Sequence, residues 1–323
     1  MISLDKLAQV HTILVHDSCS DGTASAILLQ DAFYGSATRK VRFLQHGSAE
    51  LAQLQAEPGM LFCDFSPPAD RVEEFVRAGA IVLDHHRTAA NVVAAFGENG
   101  VFGDERDEPG VCGAVLAYRH VWKPLRGELV IQDEFARWLS RLVGIRDTWQ
   151  RQDADWEAAC IVSNALGFIP NERWMGLELR DIASRWNRDF QMIGQIIHER
   201  NQQRTNKAVE SAYRFTTPKG TRVVMFDGLR ASSDAAETLG EEADLVVGFM
   251  PTCSEGVPKY IYSTRSHTTF DCAAFTKAHG GGGHTRAAGF NVPIDPLRST
   301  NPYAFLVELL ERYEGLPMGA TPA

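Results

Sequence analysis

The sequence predicts an α/β protein: an N-terminal parallel-sheet domain, a helical connector and a smaller C-terminal α/β domain. In the first half, short apolar runs alternate with helix-like stretches, which favours a parallel sheet with helices on its faces. A charged stretch without an obvious strand follows at 171–211, and a second α/β pattern begins near residue 221. We therefore expect domains at 1–165 and 216–315, a connector at 166–215 and a loose tail at 316–323.

The first domain is predicted to contain four strands and four helices. Buried strands are indicated by compact apolar runs, at 12–15, 41–44, 60–65 and 80–83. Helices are predicted at 22–33, 67–78, 112–122 and 133–143, and two prolines open the second of them.

The second domain is predicted to contain three strands and two helices. The strands are expected at 221–226, 243–250 and 259–266, and the helices at 232–239 and 270–279. Ser232 or Ser233 is a candidate N-cap for the first of these helices. Four glycines follow the second helix.

Composition limits the functions that fit this chain. Its 323 residues are 44% apolar, enough for two separate cores. The net charge is −9, and no run of Lys and Arg exceeds two residues. A protein that tracks long nucleic acid usually has an extended basic surface, so this charge favours a short anionic substrate held by local groups.

Cysteine spacing and the N-terminus indicate a reducing compartment. The six cysteines are scattered and form no CxxC pair, which speaks against a zinc ribbon or a redox motif. No signal peptide and no apolar run of membrane-spanning length is apparent. We expect a cytoplasmic protein without a membrane partner.

Acidic and imidazole side chains follow three predicted strands and end one predicted helix. They are His16 with Asp21, then Asp64, then Asp84 with His85 and His86, and lastly Asp147. In an open parallel sheet, ligands bind beyond the carboxyl ends of the strands, so these groups are expected to meet at one edge. Asp is rarely buried unless it is paired or bound to metal.

The residue types favour hard divalent cations. Carboxylates and imidazoles suit Mn²⁺ or Mg²⁺, or Fe²⁺ or Co²⁺, better than a structural Zn²⁺. Two cations bridged by a carboxylate, for which Asp64 is the candidate, can hold a phosphate and activate water. Singly, each residue has an ordinary explanation: Asp64 can cap a helix and Asp147 can pair with Arg146.

Several segments together resemble a known superfamily. HDSCSDGTASA, FCDFSPP, VLDHHRTA and IRDTW are similar, in order, to the motifs of the DHH phosphoesterase superfamily. GGGGHTRAAGF resembles the glycine-rich motif of the DHHA1 domain, and IYSTRS resembles its Arg-Ser strand. The resemblance covers about residues 10–295 and is greatest to the compact group similar to oligoribonucleases (nanoRNases) and cyclic-nucleotide phosphodiesterases.

The resemblance implies specific roles in the first domain. Asp84 would orient or join the metal cluster, and His86 would contact the scissile phosphate or act as an acid. Many relatives carry two aspartates in the first motif, whereas the flanking positions here are Cys19 and Thr23. Thr23 could orient a water, and Cys19 could either pack or bind metal. Two Mn²⁺ ions, or Mg²⁺ or Co²⁺, would be held by His16, Asp21, Asp64, His85 and Asp147.

The resemblance also implies a substrate site in the second domain, with the active site in the cleft between the domains. Glycines allow close approach of backbone N–H groups to an anion, and TRAAGF is expected to open a short helix or turn. The alternative is a flexible loop after a helix end. The implied substrate-binding residues are Arg265, Ser266, Gly281, Gly282, Gly283 and His284.

These observations predict a metal-dependent phosphodiesterase that cleaves short oligoribonucleotides or linear dinucleotides, such as pGpG or pApA, to mononucleotides. Three alternatives stay open: a RecJ-like single-strand DNA exonuclease, a cyclic (di)nucleotide phosphodiesterase, and a nucleotide-binding sensor without turnover. Tracking of long DNA is not expected. The oligomeric state is open, with a homodimer among the alternatives.

Overall fold

The computed structural model describes residues 2–34, 39–127, 130–229, 231–254, 256–294 and 301–315. The chain divides into two compact units, Met1–His198 and Glu199–Ala323. The tail predicted at 316–323 lies outside the described residues. Within the described ranges, every helix is too short or too polar to cross a lipid bilayer.

The first unit is built on a five-stranded parallel sheet, which confirms the predicted fold class. The strand order is β2-β1-β3-β4-β5, so the winding direction changes between β1 and β3. At this point Val15 pairs with Cys63, and both strands end within one residue of that pair. The strands are β1 Thr12–His16, β2 Lys40–Leu44, β3 Met60–Cys63, β4 Ile81–Asp84 and β5 Gly100–Phe102.

Helices cover both faces of this sheet because alternate strand residues face opposite sides. Ile13 and Val15 belong to one hydrophobic core, and Leu14 belongs to the other. The helices of the first unit are α1 Leu4–Ala8, α2 Ser20–Ala32, α3 Ala49–Ala52, α4 Val72–Arg77, α5 Ala90–Ala95, α6 Gly113–Ala117, α7 Lys123–Arg126, α8 Val130–Asp147, α9 Trp156–Phe168, α10 Asn171–Met175 and α11 Leu179–Arg185. The next helix, α12 Gln191–Glu210, begins in the first unit and ends in the second.

Part of the expected connector contributes to the core of the first unit. Trp174, Ile182 and Trp186 are buried in the same cluster as the strand residues Ile13 and Val15. Their spacing along α10, α11 and the wider π-type turn that follows α11 places large apolar side chains on the inner side of these helices.

The second unit is a mixed six-stranded sheet in the order β10-β11-β9-β8-β7-β6. β7 and β8 are parallel, and the other neighbours are antiparallel. Its core forms around Tyr262, Phe275 and Phe290. The elements are β6 Tyr213–Thr216, β7 Arg222–Asp227, β8 Leu245–Ser254, β9 Val257–Arg265, β10 Gly282–His284, β11 Ala287–Pro293, α13 Ser232–Leu239, α14 Cys272–Lys277 and α15 Pro302–Tyr313.

TRAAGF was expected to open a short helix or turn, and residues 285–286 form a hairpin turn between β10 and β11. The expected N-cap was wrong, because neither Ser232 nor Ser233 caps α13. Ala231 occupies that position, and the Ser232 hydroxyl donates to the Leu229 carbonyl at 2.7 Å because the preceding turn brings that carbonyl within reach.

Candidate functional site

The site in the first unit starts at the carboxyl ends of β1 and β3, where the winding direction changes. His16 is the last residue of β1, and α2 begins four residues later. Gly22 in the first turn of α2 lies against the His16 carbonyl so closely that a Cβ atom would overlap it. A glycine is therefore required for α2 to start directly behind the strand end.

Asp64 follows β3 and adopts a left-handed backbone conformation with φ 66°. Asp tolerates this region better than most residues, although such positions are uncommon and cluster at functional sites. The side chain is 1% exposed. Its Oδ1 lies 3.1 Å from His85 Nε2, whereas its Oδ2 lies 3.5 Å from Cys19 Sγ and 3.7 Å from His16 Nδ1. The two carboxylate oxygens thus face two different sets of donors.

His85 lies among three carboxylates that come from separate elements. Besides Asp64, its Nε2 is 3.5 Å from Asp21 Oδ2 in α2 and 3.5 Å from Asp147 Oδ2 at the end of α8. Asp21 is fully buried. Residues from widely separated parts of the chain therefore meet at one point, as the strand-end pattern predicted.

The N-terminus of α6 fixes Asp21. The backbone N–H groups of Gly113 and Ala114 donate to its two oxygens, each at 2.6 Å. A Cβ on Gly113 would lie 2.5 Å from the Asp64 Cβ and 2.9 Å from Asp21 Oδ2. Gly113 is therefore the residue that allows the two carboxylates to approach α6 together.

Asp84 holds the second histidine of the tripeptide. The Nδ1–H of His86 donates to Asp84 Oδ1 at 2.8 Å, and the Ser66 hydroxyl donates to Asp84 Oδ2 at 2.5 Å. This leaves Nε2 of His86 free of Asp84, on a side chain that is 41% exposed. Asp84 is 1% exposed and fully engaged, so its place is to orient His86.

The electrostatics of the cluster favour an added positive charge. Burial would lower the pKa of His85, but the hydrogen bond to Asp64 and the charges of Asp21 and Asp147 raise it to about 10. Burial raises the pKa of Asp21 and of Asp147, and the neighbouring Asp64 carboxylate raises both further. For Asp64, burial is opposed by hydrogen bonds from His16 and His85, and its pKa is lowered.

Sequence reasoning missed His46. It lies two residues beyond the end of β2, the strand next to β1, so the strand-end rule alone could have found it. Its ring centre is 5.4 Å from that of His16, 5.7 Å from that of Phe65 and 6.5 Å from that of His86. Burial and the two neighbouring histidines lower its pKa.

Thr23, a candidate for orienting a water, has its hydroxyl near protein acceptors. The hydroxyl is 3.0 Å from the Cys19 carbonyl and 3.0 Å from Asn171 Oδ1. The Asn171 amide donates in turn to Asp17 at 3.2 Å. These contacts fix the loop that carries Cys19.

In the second unit, Arg265 is a largely buried cation. Its Nε donates to Ser233 at 2.9 Å, and its Nη1 donates to the Ser263 hydroxyl and the Thr264 carbonyl at 3.0 and 2.9 Å. All three acceptors are neutral, and among the described residues no carboxylate forms an ion pair with Arg265. Burial lowers its pKa. Ser266 is buried, and its hydroxyl accepts from the Thr268 N–H at 3.2 Å.

The glycine motif has a packing explanation at two of its positions. A Cβ on Gly281 would lie 2.5 Å from the Phe290 Cβ. Gly283 has φ 138°, and a Cβ there would lie 2.5 Å from the Ala288 Cα. Gly282 differs, because a Cβ there would meet no described atom within 4 Å. The His284 side chain lies outside the described residues.

The donor atoms of the first unit fit divalent cations. Three combinations each bring three donor atoms within 4.8 Å of one another. The oxygens are those that hard cations prefer, and the imidazoles suit transition metals. The combinations are His16 with Cys19 and Asp64, Asp64 with His85 and His86, and Asp21 with His85 and Asp147.

Comparison with solved structures identifies proteins of the same fold. A DHH-domain protein described as a member of a family of ribosomal proteins matches with TM-score 0.60 and 14% identity, over 96% of this chain and 87% of its own. The pGpG-specific phosphodiesterase PggH from Vibrio cholerae matches with TM-score 0.54 and 12% identity, over 95% of this chain and 100% of its own. No family sequence model and no curated protein sequence matches this chain. The chain therefore has the same fold as these two proteins.

Proposed function

We propose that this protein is a metal-dependent phosphodiesterase that hydrolyses short oligoribonucleotides or linear dinucleotides, pGpG and pApA among them, to mononucleotides. The observation that carries the proposal is the convergence of Asp21, Asp64, His85 and Asp147 on one point. Three carboxylates lie within 3.5 Å of a single imidazole nitrogen, and two of them, Asp21 and Asp64, are buried, which is costly unless the site binds cations.

The residues of the first unit divide into two tasks. Asp64 presents one oxygen to His85 and the other to His16 and Cys19, so it is placed to bridge two cations. Asp21 and Asp147 would bind the cation on the same side as His85. When bound, the cations would neutralise phosphate charge and lower the pKa of a water molecule, which supplies the nucleophile.

His86, oriented by Asp84, acts on the substrate. Because Asp84 accepts from Nδ1, the opposite nitrogen of His86 is available to the substrate on a side chain that is 41% exposed. This nitrogen contacts the scissile phosphate and donates a proton to the leaving oxygen. Ser66 keeps Asp84 in place from the other side.

The second unit binds a further phosphate of the substrate. Arg265 has a planar donor fork, neutral partners and a buried position, which together leave a positive charge that suits a phosphate oxygen. The open side of Gly282 allows the backbone of β10 to approach the same ligand. The net charge of −9 favours short substrates over long polymers.

A substrate-length series tests the proposal. Labelled RNAs from two residues upward, pGpG, a cyclic dinucleotide and a long single-stranded DNA are incubated with the Mn²⁺-loaded protein. We expect mononucleotides to form from the dinucleotide at least about a hundred times faster than from the long strands. Asp64→Ala abolishes turnover, whereas Asp70→Ala, which alters an exposed aspartate, leaves it unchanged.

Each other outcome supports a different function. Preferred digestion of long DNA, suppressed by salt, supports an exonuclease. Cleavage restricted to the cyclic dinucleotide supports a cyclic-dinucleotide phosphodiesterase. Thermal stabilisation by dinucleotide without any product supports a sensor. Equal turnover by Asp64→Ala and the parent protein contradicts the site assignment.

A further inference from the structure

Cys19 differs from the other cysteines near the site. Cys63 and Cys112 are fully buried in the hydrophobic core, and the Cys63 thiol donates to the Gly113 carbonyl at 3.4 Å. Cys19 is partly exposed at the N-cap of α2, where its side chain makes no capping hydrogen bond. Its Sγ instead points at Asp64 Oδ2 from 3.5 Å.

The donor atoms of His16, Cys19 and Asp64 are close enough to share one ion, since all three lie within 4.8 Å of one another. A thiolate sulfur at about 2.3 Å and a carboxylate oxygen at about 2.1 Å from a tetrahedral ion lie about 3.6 Å apart. The observed separation between Cys19 Sγ and Asp64 Oδ2 is 3.5 Å. His16 Nδ1 lies 3.7 Å from the same oxygen, so a shift of a few tenths of an ångström completes a three-donor site.

The two sides of Asp64 therefore differ in chemical character. Asp21, His85 and Asp147 offer two carboxylates and one imidazole, which suit Mn²⁺ or Mg²⁺. His16, Cys19 and Asp64 offer sulfur, nitrogen and one oxygen, which suit a softer ion with tetrahedral preference.

We infer that Cys19 is a metal ligand and that, with His16 and Asp64, it forms a thiolate-containing site that selects Zn²⁺ or Co²⁺ over Mn²⁺. The inference rests on the proposed function, because it assigns one of the cation sites of that centre. The protein would then hold unlike metals on the two sides of Asp64.

Cobalt spectroscopy on the metal-free full chain tests this assignment. A thiolate bound to Co²⁺ gives an intense charge-transfer absorption in the near ultraviolet, which oxygen and nitrogen ligands do not give. The parent protein and the Cys253→Ser variant, which loses an exposed cysteine of the second unit, should both develop this band as Co²⁺ is added. Cys19→Ser and Cys19→Asp should lack it. Zn²⁺ should remove the band, and excess Mn²⁺ should leave it.

A competition titration gives the matching thermodynamic result. Cys19→Asp should shift the ratio of Zn²⁺ to Mn²⁺ affinity toward Mn²⁺ by at least about tenfold, because a hard ligand replaces a soft one. Stoichiometric Co²⁺ binding without the band overturns the inference and leaves the proposed function standing. A band that persists in Cys19→Ser also overturns it. Failure of the parent protein to bind any divalent cation overturns both.

Discussion

The strand-end cluster of the first unit and the glycine hairpin of the second unit differ in how their residues are held. In the cluster, Asp21 and Asp64 are buried beside each other and the pKa of Asp21 is raised. In the hairpin, Gly281 and Gly283 are needed because β11 packs against them, whatever the protein binds. Burial of the two carboxylates therefore lowers the stability of the first unit, whereas the hairpin glycines are explained by packing.

This difference shows that a motif which is conspicuous in the sequence is not by itself evidence for a binding site. Four consecutive glycines are conspicuous in the sequence, but the fold alone accounts for two of them. The residues of the cluster are scattered and individually ordinary, yet the fold alone does not account for their convergence. In the second unit, the corresponding sign of a binding site is Arg265, a largely buried cation with neutral partners.

The largest contrast is expected from His86→Gln. This substitution removes the group held by Asp84, and we expect kcat to fall by about 10²–10⁴ with KM within a few-fold. His11→Gln, at the opposite end of β1, is the matched control and should retain parent activity. Steady-state kinetics on pGpG measures both. A change confined to KM would mean that His86 only binds substrate.

The pH dependence of metal binding probes the cluster directly. His85, with a pKa of about 10, carries a proton in the metal-free protein at neutral pH, and a cation must displace it. Raising the pH removes this competition, so Mn²⁺ affinity should increase by about tenfold per unit between about pH 6.5 and pH 8. Calorimetry in buffers of different ionisation enthalpy measures the released proton. Affinity independent of pH in this range would contradict the displacement of a proton from His85.

Arg265→Lys tests the second unit. Lysine keeps the charge but loses the planar fork and the hydrogen bond to Ser233, so KM for a dinucleotide should rise about tenfold with little change in kcat. Arg286→Lys, on the exposed hairpin turn, serves as the control. A loss of kcat equal to that of His86→Gln would contradict the proposal that the second unit binds substrate while the first unit carries out catalysis.

A pair of glycine substitutions gives the smallest effects. Gly113→Ala places a methyl group against Asp64 and Asp21, and it should destabilise the first unit by about 1–3 kcal/mol and weaken metal binding. Gly282→Ala meets open space and should change stability by less than about 0.5 kcal/mol. Urea unfolding of the metal-free variants measures both. Equal destabilisation would contradict the packing explanation.

The sequence predicted the strands of the first unit because their apolar runs end in polar residues. Asp64 and His85 were found in this way, and the structure brings both to one point. His46 was missed because it follows the end of β2 without an aspartate beside it. The role of Gly113 could not be predicted from the sequence either, since it depends on how α6 approaches two carboxylates that are distant along the chain.

In the second unit the sequence indicated strands well and their ends poorly. Of the short helix or turn expected after the glycines, the structure has the turn, because Ala288 and Phe290 are strand residues that pair with β9. The strands β6, β10 and β11 and the helix α15 of this unit were not predicted, and neither was β5 of the first unit. β5 has only three residues, too few for a periodic pattern to be recognised.

Titration of the metal-free protein with Mn²⁺ by calorimetry tests the central claim most directly, with Asp64→Asn and Asp70→Asn as matched variants. We expect the parent and Asp70→Asn to bind the cation stoichiometrically. Asp64→Asn should lose at least about a hundredfold in affinity, because Asp64 contacts His85 with one oxygen and faces His16 with the other. Equal Mn²⁺ binding by Asp64→Asn and the parent would contradict the claim that these side chains form a metal centre.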